Sequence, residues 1–477
     1  FSIIFFCNLT YSPSFLPLMM RKFIFTLVAM LSLTTLAQNA HRTIYRYRVT
    51  LTDKKGTPFS VKHPEQFLSP KAIARRAKFR LRVDHHDLPI SPHYLDALRQ
   101  QGVRIFNLSK WNNTVQIEVN DTTLLTGVRR LPFVKSTEMV YDSSFAPPAT
   151  SPHDRKSQIK DRVFEVSDFY GAGAAQTDML NLRPLHEAGF RGQGMTIAVI
   201  DGGFYNTDTI AAFQSTKILG TRNFARPGSS VYDDHEHGTM VLSCIATNLP
   251  HRLVGTAPEA AFYLLESEDT AIEYRGEADN WCAALEYADS LGVDIVTTSL
   301  GYHLYEAPRI ELKYEWLDGQ TELNSRSASL AASRGLLLLN AAGNEGEDTW
   351  KKITFPSDAH DILTVGAVDR ERHNSTFSGV GYTADGRIKP DLMAMGSNSA
   401  VIDGTGSVSM ANGTSFATPI LAGAVACLWQ AAPTLSPQEV IALLQQSGSN
   451  YAHPNEIYGY GVPDLWKVYQ NLGNKTK

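Results

Sequence analysis

Five short apolar runs constrain this chain more than anything else in it: Thr196 to Ile200, Ala261 to Leu265, Ile295 to Ser299, Leu336 to Ala341 and Ile362 to Ala367. Each is too continuous for a strand with one wet face. Helical patterns separate them, one after His237, one around Asp279 to Leu291, one around Asn324 to Arg334 and one from Ser415. Strands apolar on both sides that alternate with helices predict a parallel sheet covered by helices on both faces. The expected fold class of this half is therefore α/β, and in such sheets ligands gather beyond the carboxyl ends of the strands. Chemistry should be sought where these runs end.

Four side chains stand at such ends or at the start of the helices. Asp201 follows "MTIAVI" and precedes Gly202 and Gly203; a carboxylate there can hold an imidazole in one tautomer, although an Asp before two glycines also makes an ordinary turn. His237, in "DDHEHGTMVLS", opens a helix, and His235 makes an H-x-H pair with it that no further ligand set completes into a metal site. Asn344, in "LLLLNAAGNEG", puts a side-chain amide just past an apolar strand, where it can donate to a developing oxyanion or simply shape a turn. Ser415, in "NGTSFATPILAGAVACLWQ", is either the cap of a buried helix or a nucleophile at its start. Asp, then His, then Ser is one of three chain orders known for hydrolytic triads.

Together "VIDGG", "HGT", "SLG", "AAGN" and "GTSFATP" resemble the subtilisin-like serine proteases, the subtilases. The resemblance runs from about Gly189 to about Leu472 and takes in "FPSDAHDILTVGAVD", "FSGVG", "IKPDLMAMG" and "GYGVPDL". It implies a serine endopeptidase that cuts protein or peptide substrates through an acyl-enzyme, with Asp201, His237 and Ser415 as the triad and Asn344 in the oxyanion hole. It also implies that Ser299, Leu300 and Gly301, with Ala342 and Gly343, bind substrate. The resemblance implies no cofactor or catalytic metal and admits structural calcium, although the loop carboxylates and carbonyls that would hold it cannot be picked out in this sequence. Met240, Leu242, Phe416 and Thr418 depart from the family's commoner residues and bear on subsite shape rather than on the reacting groups. A catalytically inactive subtilase-fold binding protein would lack one of the four groups. A serine esterase of the α/β-hydrolase kind would run Ser, acid, His and carry Gly where Ala417 stands. A dinucleotide-binding enzyme would carry its glycines after the strand, whereas "GFRGQG" precedes it.

The first part of the chain has a different rhythm. In "IYRYRVTL" Tyr45, Tyr47, Val49 and Leu51 alternate with Arg46, Arg48 and Thr50, as in a half-buried strand. Ser69-Pro70 and Ser91-Pro92 open helices, and Gly102 closes the second. Strands at 103 to 106 and 114 to 119, a short helix after Asp121 and a strand near Val134 to Tyr141 complete the order β-α-α-β-β-α-β, a small α+β sandwich. The basic set Lys71, Arg75, Arg76, Lys78, Arg80 and Arg82 reads first as a solvated helix face, with complementarity to an acidic surface as the other option. By the resemblance this domain is propeptide-like, part of a zymogen and an intramolecular inhibitor of the protease domain. A permanent substrate-binding domain is the competing account.

Pro, Ser and charge without apolar periodicity mark a protease-accessible linker after Ser143. Arg21 and Lys22, the apolar run Phe23 to Leu36 and Thr35-Leu36-Ala37 describe a secretory signal peptide. The expected division is therefore 1–19 upstream leader, 20–37 signal peptide, 38–142 propeptide-like domain, 143–167 linker and 168–477 protease domain. Export to the periplasm or outside the cell is the expectation, with no membrane span once the signal is removed. A net charge of −4 spread over 477 residues offers no nucleic-acid surface. Cys7 falls in the leader, and Cys244, Cys282 and Cys427 sit in apolar stretches, as buried free thiols rather than a disulfide framework. The acidic stretch "LLESEDTAIEYRGE" reads first as a solvated loop; near the cleft it would favour a basic side chain in the substrate.

Overall fold

Residues 43–145 and 166–475 are described by the computed structural model; the leader, the signal peptide and most of the linker read from sequence lie outside them. The N-terminal elements follow the expected order. Strand Tyr45–Leu51, helices Pro70–Lys78 and Pro92–Arg99, strands Arg104–Ser109 and Thr114–Val119, helix Leu125–Arg130 and strand Val134–Asp142 succeed one another. Their four strands form an antiparallel sheet in the order second, third, first, fourth. Tyr47, Val49, Leu51, Val115, Ile117 and Val119 pack under Leu98, Leu125 and Val128 of the helices, which fixes the register because a slip of one residue would turn the apolar set outward.

Thr196–Asp201 is an inner strand of a second, wholly parallel sheet of seven strands. The order across it is Leu392–Met395, Leu363–Val368, Leu337–Ala341, Ile295–Thr298, Thr196–Asp201, Ala261–Glu266 and Lys217–Asn223. The five runs read from sequence are the five inner strands. Both edges escaped that reading: Lys217–Asn223 is largely exposed and has no apolar run, and Leu392–Met395 is only four residues long. Helices Thr414–Ala431 and His237–Ala246 cover one face, and Gly276–Leu291 and Leu323–Ser333 the other. Thr414–Ala431 is long and apolar enough to cross a membrane, but it is 89% buried inside this domain and forms its central core helix.

The chain leaves Thr196–Asp201 toward one edge and returns on its other side at Ile295–Thr298, so the two neighbours flank a topological switch point. Their register pairs Ile200 with Thr298, which brings Asp201 and Ser299 out together at the carboxyl edge. A crevice opens there.

The polar face of the N-terminal sheet is not open to water. It lies on helix Gly276–Leu291, and the solvated reading of the basic helix fails for two of its six cations. Arg48 donates to both oxygens of Asp279 at 2.8 and 2.6 Å and to Glu138 at 3.0 Å. Arg75 pairs with Asp289 and donates to the Val293 carbonyl at 2.5 Å, while Arg76 reaches Asp87 at 2.9 Å and Asp289 at 2.8 Å. Arg75, Arg76 and Asp289 are buried; Lys71, Lys78, Arg80 and Arg82 stay exposed or half-exposed. Sequence periodicity gives the spacing of charges but not what faces them. Glu286 accepts from Ser109 Oγ at 2.5 Å and from the Lys110 N–H at 2.7 Å.

Ser69 joins the two domains end to end. Its side chain accepts from Ala72 N as the N-cap of Pro70–Lys78, while its hydroxyl donates to the Leu291 carbonyl at 2.9 Å and its N–H to the Ser290 carbonyl at 2.9 Å. The last carbonyls of helix Gly276–Leu291 are thus satisfied from the other domain. Gly292 allows the approach: its φ is +80°, and a Cβ there would strike the backbone of Lys71 and Ala72. Cys244, Cys282 and Cys427 are free and buried.

Candidate active site

Asp201 closes its strand with its side chain fully buried. Its Oδ1 accepts from the Gly202 N–H at 2.8 Å and from His237 Nδ1 at 2.7 Å. That bond fixes the imidazole with its proton on Nδ1 and leaves Nε2 to accept. Gly203, at φ +135°, lets the turn after Asp201 press against His235, whose backbone a Cβ would meet at 2.8 Å. The Gly238 N–H donates to the Gly203 carbonyl at 2.9 Å and pins the start of helix His237–Ala246 to the same turn. Burial alone would lower the His237 pKa, but the charge and hydrogen bond of Asp201 outweigh it and hold the imidazole above its ordinary value. His235 Nδ1 accepts from the His237 N–H at 3.2 Å, and the two rings stand 6.5 Å apart.

Ser415 lies in the first turn of Thr414–Ala431. Its hydroxyl donates to the Ser299 carbonyl at 3.3 Å, and Ser299 Oγ donates back to the Ser415 carbonyl at 2.8 Å. The fold therefore brings Asp201 and His237 into direct contact and sets Ser415 in the same cleft, with its hydroxyl on Ser299 rather than on His237. Catalytic hydrogen bonds commonly tighten only when substrate is bound. Asn344 Oδ1 accepts from the Thr414 N–H at 2.9 Å and from Thr414 Oγ1 at 3.0 Å. Since a backbone N–H can only donate, the amide orientation is fixed and its NH₂ is the end left to donate. Thr414 is a positioning residue that sequence reasoning passed over; its one signal is its place between Gly413 and the candidate nucleophile.

A cleft of about 420 Å³ runs past these groups, and Ser299, Leu300, Gly301 and Gly343 line it. Ala342 does not. Its side chain is buried with Tyr302 and Phe355, and Ala341 stands in the wall instead. Glu268, Asp269, Glu273, Glu277, Glu306 and Glu345 line it as well, so the acidic stretch is no solvated loop: Glu268 and Glu277 are buried. Glu306 arrives on the hairpin of strands Leu304–Glu306 and Arg309–Glu311. Glu268 accepts from Tyr302 Oη at 2.6 Å and Ser267 Oγ at 2.7 Å, and Glu277 from the N–H groups of Asp269 at 2.8 Å and Tyr274 at 3.0 Å. Burial pushes Glu268 up to about 7 and, with the charges of Glu268 and Glu306, Glu273 up to about 8; burial pushes Glu345 up to about 7.

Among the described residues, two groupings have the ligand types of a metal site: Glu268, Glu273 and Glu277, and Asp84, His85 and His86, each with ligand atoms within 4.8 Å of one another. The first fits a hard cation poorly, because Glu268 and Glu277 already accept from O–H and N–H donors and such ions take six to eight oxygens.

The chain matches the Subtilase family over residues 192–461 and the peptidase S8 propeptide domain of Bacteroidota over residues 46–158. It is 28% identical over 278 residues to Subtilisin BL of Lederbergia lenta, a match covering 58% of this chain and 91% of that protein. It is 30% identical over 305 residues to Serine protease AprX of Bacillus subtilis (strain 168), covering 57% and 65%. Subtilisin NAT of Bacillus subtilis subsp. natto is 29% identical over 290 residues, covering 60% and 68%. The chain therefore belongs to the subtilase family: it is a subtilisin-like serine protease, a hydrolase that carries a peptidase S8 propeptide domain ahead of its catalytic domain.

Proposed function

We propose that this protease is an exported endopeptidase, made as a zymogen, that works through Asp201, His237 and Ser415. The 2.7 Å bond from His237 to the buried Asp201, beside a Ser415 at a helix start, is the observation that carries this reading. His237 Nε2 takes the Ser415 proton as the hydroxyl leaves the Ser299 carbonyl and attacks a peptide carbonyl. Asp201 steadies the imidazolium. The Asn344 NH₂, with the Ser415 N–H, meets the oxyanion, and the helix start adds positive potential. His237 then gives its proton to the leaving amine and activates the water that frees the acyl group.

Ser299, Leu300, Gly301 and Gly343 bind substrate backbone in this reading. The N-terminal domain, 38–142, acts as an intramolecular inhibitor until the chain is cut within 143–167, and the signal at 20–37 sends the protein to the periplasm or outside the cell. The chemistry needs no cofactor; structural calcium is left to the catalytic domain's loops.

Labelling with a fluorophosphonate probe tests this on secreted, processed protein beside its Ser415→Ala variant. Labelling lost only in the variant is the expected result. An unlabelled, correctly folded native protein would leave Ser415 as a helix cap and the molecule as a binding scaffold.

A further inference from the structure

The acidic half of the cleft takes no part in that chemistry. Glu268, Asp269, Glu273, Glu277, Glu306 and Glu345 line it, and among the described residues no Lys or Arg lines it with them. The nearest cation on the same segment is engaged elsewhere: Arg275 pairs with Glu138 and Glu322. Burial raises the pKa values of Glu268, Glu273 and Glu345, and no Lys or Arg charge offsets it.

A second observation is independent of the carboxylates. Thr354 is fully buried, yet its Oγ1 has no hydrogen-bond partner. It stands between two glycines of the cleft wall: a Cβ on Gly301 would strike it, and one on Gly343 would lie 2.8 Å from it. Glu345 Oε2, against the same side of Gly343, also has no partner. Two unsatisfied oxygens thus face a slot walled by Gly301 and Gly343, next to the Ser299–Gly301 segment.

These groups set the chemistry of an occupant. An apolar side chain would leave both oxygens unpaired, and an anion would be repelled. A side chain with several N–H donors and a positive charge satisfies the oxygens and the field together, which describes a guanidinium or an ammonium. We propose that the cleft selects peptides carrying an Arg or Lys side chain that enters this slot, with Thr354 and Glu345 as specificity-determining residues and Glu268, Glu273 and Glu277 as carboxyl groups of the same cleft that ionise against the incoming cation. This rests on the endopeptidase reading.

The test profiles processed enzyme on a positional peptide library, with fluorophosphonate labelling run on the same preparation. Arg or Lys is expected to be favoured at one position. Glu345→Gln should cut the Arg-over-Ala ratio in kcat/KM by roughly tenfold or more, as for the loss of one hydrogen bond to a charged group. Thr354→Val should lower the same ratio in a variant that keeps all the carboxylates. An enzyme that labels and turns over peptides without preferring Arg or Lys anywhere overturns the proposal and leaves the endopeptidase reading standing. A preference untouched by both variants overturns it too, and absence of labelling removes both readings.

Discussion

Helix Gly276–Leu291 sends carboxylates to two places. Asp279, Glu286 and Asp289 meet the N-terminal domain, while Glu277, from the first turn, joins Glu268 and Glu273 in the cleft. Both sets are buried or nearly so. Arg75 and Arg76 outweigh the burial of Asp289 and hold its pKa below the ordinary value, whereas burial pushes Glu273 up to about 8. Glu286 stands between them: it accepts hydrogen bonds from Ser109 and from backbone N–H groups, with the Lys110 charge nearby, and burial still pushes it up to about 7. Neutral donors satisfy the geometry of Glu286, whereas two guanidiniums in direct contact hold Asp289 below its ordinary range. The matched set is a finished interface, and the unmatched set is half of one.

The largest effect should come from breaking the matched side. In an intact chain carrying Ser415→Ala, Arg75→Ala leaves Asp289 short of a partner and should cost about 3–5 kcal/mol in chemical denaturation. A loss under about 1 kcal/mol, the range of an exposed pair, would erase the contrast. The opposite sign is expected in the cleft, where Glu273→Gln in the same background removes an uncompensated charge. It should gain about 1–2 kcal/mol at pH 8, equivalent to about one pK unit or slightly more.

The pH dependence is the gentlest test. Carboxylates with raised pKa values stabilise the folded chain below their ordinary range and lose that contribution as pH climbs through about 7 to 8. Asp289, with its lowered pKa, contributes above its ordinary range and loses that contribution as pH falls. Melting temperature should therefore decline on both sides of a mildly acidic maximum, and Glu273→Gln should flatten the alkaline side alone. A Glu273→Gln curve parallel to the parent's would remove Glu273 as the cause.

The inner strands could be read because strands buried on both faces carry their environment in their own composition. Asp201, His237, Asn344 and Ser415 could be read because each sits in a short local motif at an element's end. Arg48, Arg75 and Arg76 were less legible: on a strand or helix their spacing resembles any solvated face, and their partners on helix Gly276–Leu291 lie more than two hundred residues away. Thr354 carries no pattern at all. Its place between Gly301 and Gly343 comes from the meeting of two chain segments more than fifty residues apart. The strand Lys217–Asn223 was missed for the reverse reason, since an exposed edge has little apolar content to display.

Ser69 completes one helix's beginning and another helix's end with a single residue. In an uncut chain that clasp closes at the effective concentration set by a tether, in the millimolar range for a short flexible one. Cutting the chain between the domains would alter none of its contacts, yet it would turn a unimolecular closure into an encounter between two molecules. Dilution alone could then open it. A protease held in this way would be restrained where it is concentrated and released where it is dilute.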